Sequence, residues 1–432
     1  MDTLGYYLYN ILGVSLLRLG LIIGGLINSK IRRGIRGRKH LFTELEQAMN
    51  LLPKEGPRFW VHSSSMGEFE QAKPLIAKIK ERFPQGSVIV SFFSPSVLDH
   101  VRECPGGDYL CYIPFDSKKK AHRFISIIRP DVAIMVRHDL WPNHLFELKK
   151  QGIPSVLVNC SVRPPSDYRL PLIILLNRFL YRYFDLILTV SPESKILCET
   201  HRLARGSVDV VGDTRYDQVI RRANEAEQIV APLRELKGKR MGFVMGSTWP
   251  SDEEVLLDAL VRLYKKDIKV WVVLVPHEPI EERLIQIEQR ISGLGFRTYR
   301  LSDVETDESR DGDVLIVDRV GILASLYALG ELSFVGGGFG PGIHNVLEPA
   351  AQGKIVFFGP RCKNSYEAGL LDRRGVGFVV NNGDELFQHL YSLLNDTRRM
   401  IELGKKAARI VEENAGATQR IVDHLVKCVP SP

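Results

Sequence analysis

The sequence predicts an α/β protein built from two doubly wound domains that face each other across a cleft, preceded by an apolar helix. Three observations carry this expectation. Short Val- and Ile-rich runs alternate with amphipathic segments from residue 58 onward, the pattern of parallel strands buried on both faces. The alternation stops near residues 221–240 and restarts, and 432 residues are long for a single core. Ahead of it, Leu4 to Ile27 is apolar but for Asn10, Ser15, Arg18 and a few glycines and tyrosines.

As a helix, this first segment reaches about 36 Å at ~1.5 Å per residue, enough to cross a bilayer. Lys30, Arg32, Arg33, Arg36, Arg38 and Lys39 follow it. The positive-inside rule puts that cluster, and the chain after it, in the cytoplasm. A signal peptide carries its basic residues before the apolar run, which is not the order here. Arg18 complicates a span, because a charge at the bilayer centre costs at least ~2.5 kcal/mol. A helix lying in the membrane interface with Arg18 on the wet side therefore competes with a spanning one. A buried first helix of the next domain is the third reading.

In the first domain, strands are expected at Phe59–His62, Ser87–Phe93, Val132–Val136, Ser155–Asn159, Leu186–Val190 and Val208–Val211. Helices are expected at Phe69–Arg82, Lys118–Ile128, Leu145–Lys150, Leu172–Tyr183 and Glu193–Leu203. The exceptionally apolar Leu172–Tyr183 is either a core helix or an exposed patch near a membrane. Residues 221–240 are charged and read as a linker. Strands then resume at Gly242–Met245, Val270–Val275, Arg297–Tyr299, Val314–Val317, Leu332–Val335, Ile355–Phe358 and Gly377–Val380. Asp252–Tyr264 and Ile280–Ile291 are helices between them, and the tail from Glu385 to Lys427 is mostly helical. The expected division is an anchor with basic flank at 1–40, a first domain at 41–220, the linker, and a second domain with the terminal helices at 241–432. Both domains are Rossmann-like, and ligands of such folds bind at the carboxyl ends of the strands.

The charge balance, 58 basic to 51 acidic residues, is a mild +7 that suits an anionic surface. Six cysteines without C-x-x-C spacing imply reduced thiols in a cytosolic compartment, with neither a zinc site nor a disulfide framework.

Candidate chemistry sits at strand ends. In His62-Ser-Ser-Ser-Met-Gly-Glu68 a strand gives way to small residues and then to helical spacing, where free amides favour negative charge. Ser65 and Gly67 line that turn. Glu68 is either a dipole partner, worth a few tenths of a kcal/mol, or a functional carboxylate. Leu332 to Glu348 reads as a strand, a run of five glycines (Gly336, Gly337, Gly338, Gly340, Gly342) and a helix start. The glycines allow close approach to a phosphate, with Asn345 at the helix N-terminus and Glu348 in reach of a ribose diol. The alternative is a structural turn capped by Asn345. The run follows a late strand and no Walker lysine comes after it, so it is not a dinucleotide fingerprint. Gly246-Ser-Thr-Trp-Pro-Ser-Asp-Glu-Glu254 reads as a helix start with Ser251 as N-cap and Glu254 closing a capping box, leaving Ser247 and Thr248 for a ligand. Pro276-His277 ends the next strand, and Gly212-Asp-Thr-Arg215 closes the first domain. Arg215 either steadies an anion or forms a structural ion pair.

Taken together, His62-Ser-Ser-Ser-Met-Gly-Glu68, Asp139-Leu-Trp-Pro-Asn, Gly212-Asp-Thr-Arg-Tyr-Asp, Gly246-Ser-Thr and His344-Asn-Val-Leu-Glu-Pro-Ala-Ala-Gln-Gly resemble the ordered motif series of the 3-deoxy-D-manno-octulosonic acid (Kdo) transferases. The resemblance spans essentially the whole chain. It implies a GT-B glycosyltransferase at the cytoplasmic side of the cell inner membrane that moves Kdo from CMP-Kdo to a lipid A precursor. The first domain would bind the acceptor and the second the CMP-sugar, without metal, cofactor or nucleic acid. It further implies that Glu68 is the general base, that Asp139 and Arg215 stabilise the transition state, and that CMP meets Pro276, His277, Gly321, Ile322, Leu323, Asn345, Val346, Leu347 and Glu348. The family usually has Glu where this chain has Asp139, Lys where it has Arg215, and Pro-Arg-His where it has Pro276-His-Glu. A second reading keeps the fold but changes the donor to a UDP-sugar, as in a lipid-A-disaccharide synthase or a UDP-sugar epimerase.

Overall fold

The structure, a computed structural model, describes residues 2–138, 140–162, 177–306 and 312–429. The chain divides into two compact units, residues 1–218 with 415–432, and residues 219–414.

The first unit is built on a seven-stranded parallel sheet of β1 (Arg58–Ser63), β2 (Ser87–Phe92), β3 (Tyr109–Tyr112), β4 (Val132–Val136), β5 (Ser155–Cys160), β6 (Leu186–Thr189) and β7 (Ser207–Val210). Its spatial order is β3-β2-β1-β4-β5-β6-β7. The second unit repeats the plan with β8 (Met241–Thr248), β9 (Val270–Pro276), β10 (Thr298–Arg300), β11 (Val314–Ile316), β12 (Leu332–Val335), β13 (Ile355–Phe358) and β14 (Gly377–Val379), ordered β10-β11-β9-β8-β12-β13-β14. Helices between parallel strands cover both faces, which is why Phe59, Val61, Ile134, Val272 and Phe357 are all buried. In each sheet the strand order reverses beside the first strand: between β1 and β4, and between β8 and β12. Such a switch point opens a crevice outside the carboxyl ends, because the chain leaves it in opposite directions.

β3 is the one strand that the sequence does not announce. It is four residues long, holds no Val or Ile, and pairs only with β2 at the sheet edge. The expected linker is also different. Residues 221–237 belong to a helix, Thr214–Lys237, that starts in one unit and ends in the other. Its charges are those of a solvated helix, with Arg221 and Glu225 paired at 2.7 Å. Of the apolar helix expected at Leu172–Tyr183, residues 172–176 lie outside the described residues, and 177–181 are helical.

The terminal helix Ala417–Cys428 belongs to the first unit, not the second. Ile421, Val422 and Leu425 are fully buried in the core that Phe69, Leu75 and Ile76 form on the helix Met66–Arg82. Asp217 fixes its start, accepting from the Gly416 amide (2.5 Å) and from the amide and hydroxyl of Thr418 (both 2.6 Å).

The apolar segment Gly5–Ile27 is helical, with mean hydropathy 1.9 and only 6% of its most apolar stretch buried. It is not a core helix. At Asn28 the backbone leaves the helix (φ −111°), and the Asn28 side chain accepts from the Lys30 amide at 2.8 Å to start Ser29–Arg36. The two helices pack so closely that a Cβ on Gly24 would lie 2.7 Å from the Ile31 side chain. The first unit holds both flanks. Tyr9 donates to Asp116 (2.8 Å) and Tyr6 stacks on Phe146 with centroids 3.9 Å apart. On the other flank, Arg38 donates to the carbonyls of Ile113 (2.8 Å) and Phe93 (2.7 Å).

Replacing Asp217 leaves two helix amides without their acceptor. Asp217→Ala is expected to lower stability by about 1–3 kcal/mol. Thermal unfolding should show a lower midpoint, and hydrogen exchange should accelerate in residues 416–428 first.

Candidate functional site

β1 delivers the chain to the first switch point. It ends at Ser63, whose hydroxyl is buried with no hydrogen-bond partner. Ser65 then caps the helix Met66–Arg82, and Glu68 stands at its third position. The Ser65 amide donates to Glu68 Oε2 at 2.9 Å, and the Ser65 hydroxyl donates to the same oxygen. Oε1 carries no hydrogen bond among the described residues. The capping box therefore fixes the carboxylate through one oxygen and leaves the other available. A Cβ on Gly67 would meet only the Ser65 hydroxyl, at 3.9 Å, so this glycine leaves the helix start open instead of relieving a clash.

A buried polar knot sets where that helix starts. Asn159, at the end of β5 and in the left-handed region (φ 53°), donates to Thr214 Oγ1 at 2.6 Å and to Gln71 Oε1 at 3.3 Å. The Thr214 hydroxyl donates to the Gln71 carbonyl (2.7 Å), and Gln71 Nε2 donates back to the Gly67 carbonyl (3.2 Å). The end of β5, the Glu68 helix and the start of the helix at Thr214, separated in sequence, are thus joined. Arg215, next to Thr214, is forked onto Asp213, with Nε and Nη2 at 2.9 and 2.7 Å from Oδ2. Arg215 thus forms an ion pair with Asp213.

Asp139 lies outside the described residues. Its surroundings are firmly held. Arg137 has φ 63° at the end of β4, and the following helix Pro142–Lys150 starts on the buried Asp116. Asp116 accepts from the Asn143 amide (3.1 Å) and pairs with His144 Nδ1 (2.7 Å).

In the second unit, the ends of β8, β9 and β12 converge. The His277 amide donates to the Thr248 carbonyl (3.0 Å), and the Gly336 amide donates to the Gly246 carbonyl (2.8 Å). Here the glycine run behaves differently from the expected phosphate cradle. Asp252, fully buried, accepts from the amides of Gly337 (2.8 Å), Phe339 (3.2 Å) and Trp249 (2.9 Å). The loop's anion is an internal carboxylate. Its glycines are required by packing: a Cβ on Gly336 would lie 2.2 Å from the Ser247 carbonyl oxygen, and one on Gly338 2.5 Å from the Gly359 amide. The helix cap also shifts. Pro250–Tyr264 is capped at Trp249 with Asp252 in the box, not at Ser251 with Glu254. Thr248 is not free for a ligand, since its hydroxyl donates to the buried Glu253 at 3.0 Å. Ser247 adopts φ 52° at the strand end.

Around that loop three aromatic rings stack. His277 stacks on both Trp249 and His344, with centroids 4.6 Å from each, and Trp249 Nε1 donates to His344 Nε2 at 3.2 Å. Burial holds His344 below the ordinary histidine range, with His277 adding to the effect and Asp252 opposing it. Asn345 caps the short helix Leu347–Ala351 through the Leu347 amide (3.1 Å) and is exposed, while Val346 and Leu347 are buried. Glu348 pairs with Arg222 at 3.2 Å. Gly321 (φ 93°) and Ile322 lead into Leu323–Leu326, and Leu323 packs so closely on β8 that Gly246 has no room for a Cβ.

Comparison with known proteins matches this arrangement to a defined group. Residues 37–218 match the family model for 3-deoxy-D-manno-octulosonic-acid transferase (kdotransferase). The 3-deoxy-D-manno-octulosonic acid transferase of Haemophilus influenzae is 28% identical over 86% of this chain and 87% of its own. That of Aquifex aeolicus is 28% identical over 85% of this chain and 96% of its own. Over most of its length this chain is similar to the Kdo transferases. Among solved structures, the UDP-GlcNAc 2-epimerase of Neisseria meningitidis aligns with TM-score 0.59 at 14% identity over 86% of this chain and all of its own. A glycosyltransferase of Rickettsia africae aligns with TM-score 0.55 at 14% identity over 87% of this chain and 99% of its own. These identities speak to fold alone, and the fold is GT-B.

Trp249, His344 and Asp252 belong to this candidate site, and the sequence alone assigned them no part in it. Pro250 was the available signal, because proline favours the first helical position and so points to Trp249 as the cap.

Two outcomes follow. Asp252→Ala strips three amides of their acceptor, and is expected to lower the thermal midpoint and speed exchange at Gly337 and Phe339. For His344, the sign is set by its lowered value: unfolded histidine charges first as pH falls through 6.5. Stability is therefore expected to decline below pH 6.5 and to level off once His344 itself charges. His344→Asn should flatten that decline in pH-dependent melting.

Proposed function

We propose that this chain is a membrane-attached, inverting Kdo transferase that moves Kdo from CMP-Kdo onto a lipid A precursor, lipid IVA, in lipopolysaccharide core synthesis. The observation that carries the reading is Glu68, held through Oε2 by Ser65 and available at Oε1 at the first switch point. An acceptor hydroxyl attacks the anomeric carbon of Kdo while its proton passes to Glu68 Oε1. The bond to the CMP phosphate breaks with its electron pair, and CMP leaves. Attack opposite the leaving group inverts the configuration without a covalent intermediate. A base in that position contributes about 10²–10⁴-fold.

Arg215, oriented by Asp213, and Asp139 serve as charge stabilisers for the departing phosphate and the sugar. CMP is assigned to the second unit. The exposed edge of His277, in its stack with Trp249 and His344 and beside Pro276, is assigned to the base. Glu348 is assigned to the ribose hydroxyls, and Asn345 and the Gly321–Leu323 turn complete the contacts. The phosphate is not assigned to the Gly337 amide, which Asp252 occupies.

Membrane attachment is assigned to the exposed apolar helix. A crossing helix would carry its N-terminal end to the far side of the bilayer. Here Tyr6 and Tyr9 at one end and Arg38 beyond the other pack on the same unit. This favours a helix lying in the interface of the inner membrane, with both units on the cytoplasmic side.

The donor is the point to test. The protein incubated with tetraacylated lipid A precursor should consume CMP-Kdo and yield a Kdo-bearing lipid by mass spectrometry. Turnover of a UDP-sugar in place of CMP-Kdo would favour the second reading, a UDP-sugar enzyme on the same fold.

A further inference from the structure

A cavity of about 940 Å³ lies in the first unit at the root of the apolar helix. Its floor is aromatic: Tyr6 stacks on Phe146 at 3.9 Å, and Phe146 meets Tyr183 edge-on at 6.3 Å. Its walls carry Lys118, Lys119, Lys149, Lys150, Arg182 and Arg205 against two carboxylates, Glu147 and Asp185. Both carboxylates are already paired, and Lys149 is spent on one of them. Glu147 accepts from Gln151 (2.7 Å) and is paired with His122 (2.8 Å). Asp185 binds Lys149 (2.6 Å) and the Ser155 amide (3.0 Å). The remaining field is strongly positive.

The cavity is continuous with the apolar helix. Tyr6 and Tyr7 belong both to its lining and to the first turns of Gly5–Ile27, and Lys118 lies 4.7 Å over each of their rings. Farther along that helix Ile11, Leu12 and Leu16 are exposed. Tyrosines and snorkelling lysines beside an exposed apolar helix are the arrangement that the polar–apolar boundary of a bilayer favours. A floor that is aromatic and walls that are cationic suit an amphiphile with a negative head.

The geometry points to a binding site for the phosphate headgroup of an anionic bilayer phospholipid, seated on Lys118, Lys119 and Lys150 with its glycerol end against Tyr6 and Tyr7. It rests on the interfacial placement proposed above. The lipid would then fix the rotational setting of the helix, because Tyr9 is tied to Asp116, two residues before Lys118.

The test uses the full chain in detergent and soluble dihexanoyl-phosphatidylglycerol, so that it stands apart from membrane attachment. Calorimetry should show binding to this lipid that is tighter than to dihexanoyl-phosphatidylcholine. Each lysine near an anionic lipid is worth roughly fivefold, so Lys118→Gln/Lys119→Gln/Lys150→Gln should weaken binding on the order of a hundredfold. Arg32→Gln/Arg33→Gln/Arg36→Gln, which removes a basic cluster outside the cavity lining, should leave it unchanged. Equal affinity for the two lipids, or an unaffected lysine variant, would overturn the site. Inorganic phosphate binding as tightly as the lipid would reduce it to a free-anion site and overturn the lipid assignment. Competition between the short-chain lipid and the acceptor in turnover would assign the cavity to the acceptor and overturn it as well. Sedimentation of the wild-type chain with neutral vesicles reads membrane attachment separately.

Discussion

The arrangement at the first switch point depends on one buried hydrogen-bond knot. Asn159, Gln71 and Thr214 come from a strand end, a helix and a helix start remote in sequence, are all buried, and satisfy one another at 2.6–3.3 Å. Polar groups removed from water tolerate few alternatives, so the knot specifies the relative positions of β5, the Glu68 helix and the helix that starts at Thr214. It also supports the left-handed backbone at Asn159, a conformation that a non-glycine residue adopts at a cost. Through Thr214 it locates Arg215 and Asp217, and through Asp217 the terminal helix.

The two units use the same local device to different ends. Each first strand, β1 and β8, leads to a helix whose third residue is a carboxylate folded back on the cap. Asp252 is fully buried and has both oxygens bound to amides, Oδ1 to Phe339 and Oδ2 to Trp249 and Gly337. It organises a loop and has nothing left for a ligand. Glu68 is only partly buried and keeps one oxygen unbound. Environment, not residue type, separates the carboxylate that is fully bound from the one that keeps an oxygen unbound.

Much of this was legible in the sequence. Runs such as Val132–Val136 and Val270–Val275 announce themselves because strands covered on both faces must be apolar throughout. Glu68, His277 and Asn345 were singled out because strand ends in such sheets are where ligands bind. What escaped was decided by contacts remote in sequence. The glycines from Gly336 to Gly342 read as a phosphate cradle, but their lack of side chains is needed against Ser247 and Gly359, and their amides face Asp252. The Trp249–His277–His344 stack is assembled from three strand ends, and no local pattern encodes it. The charged stretch 221–237 looked like a linker because its helix has little apolar face to show. The terminal helix gave no sign of which core it would join.

The most direct measurement replaces Glu68 with glutamine, an isostere that keeps the cap and removes the base. Kdo transfer should fall by about 10²–10⁴-fold while CMP affinity stays as in the wild type. A variant that transfers Kdo at near the wild-type rate would contradict the role of Glu68 as the base, and would return it to the part of a helix cap.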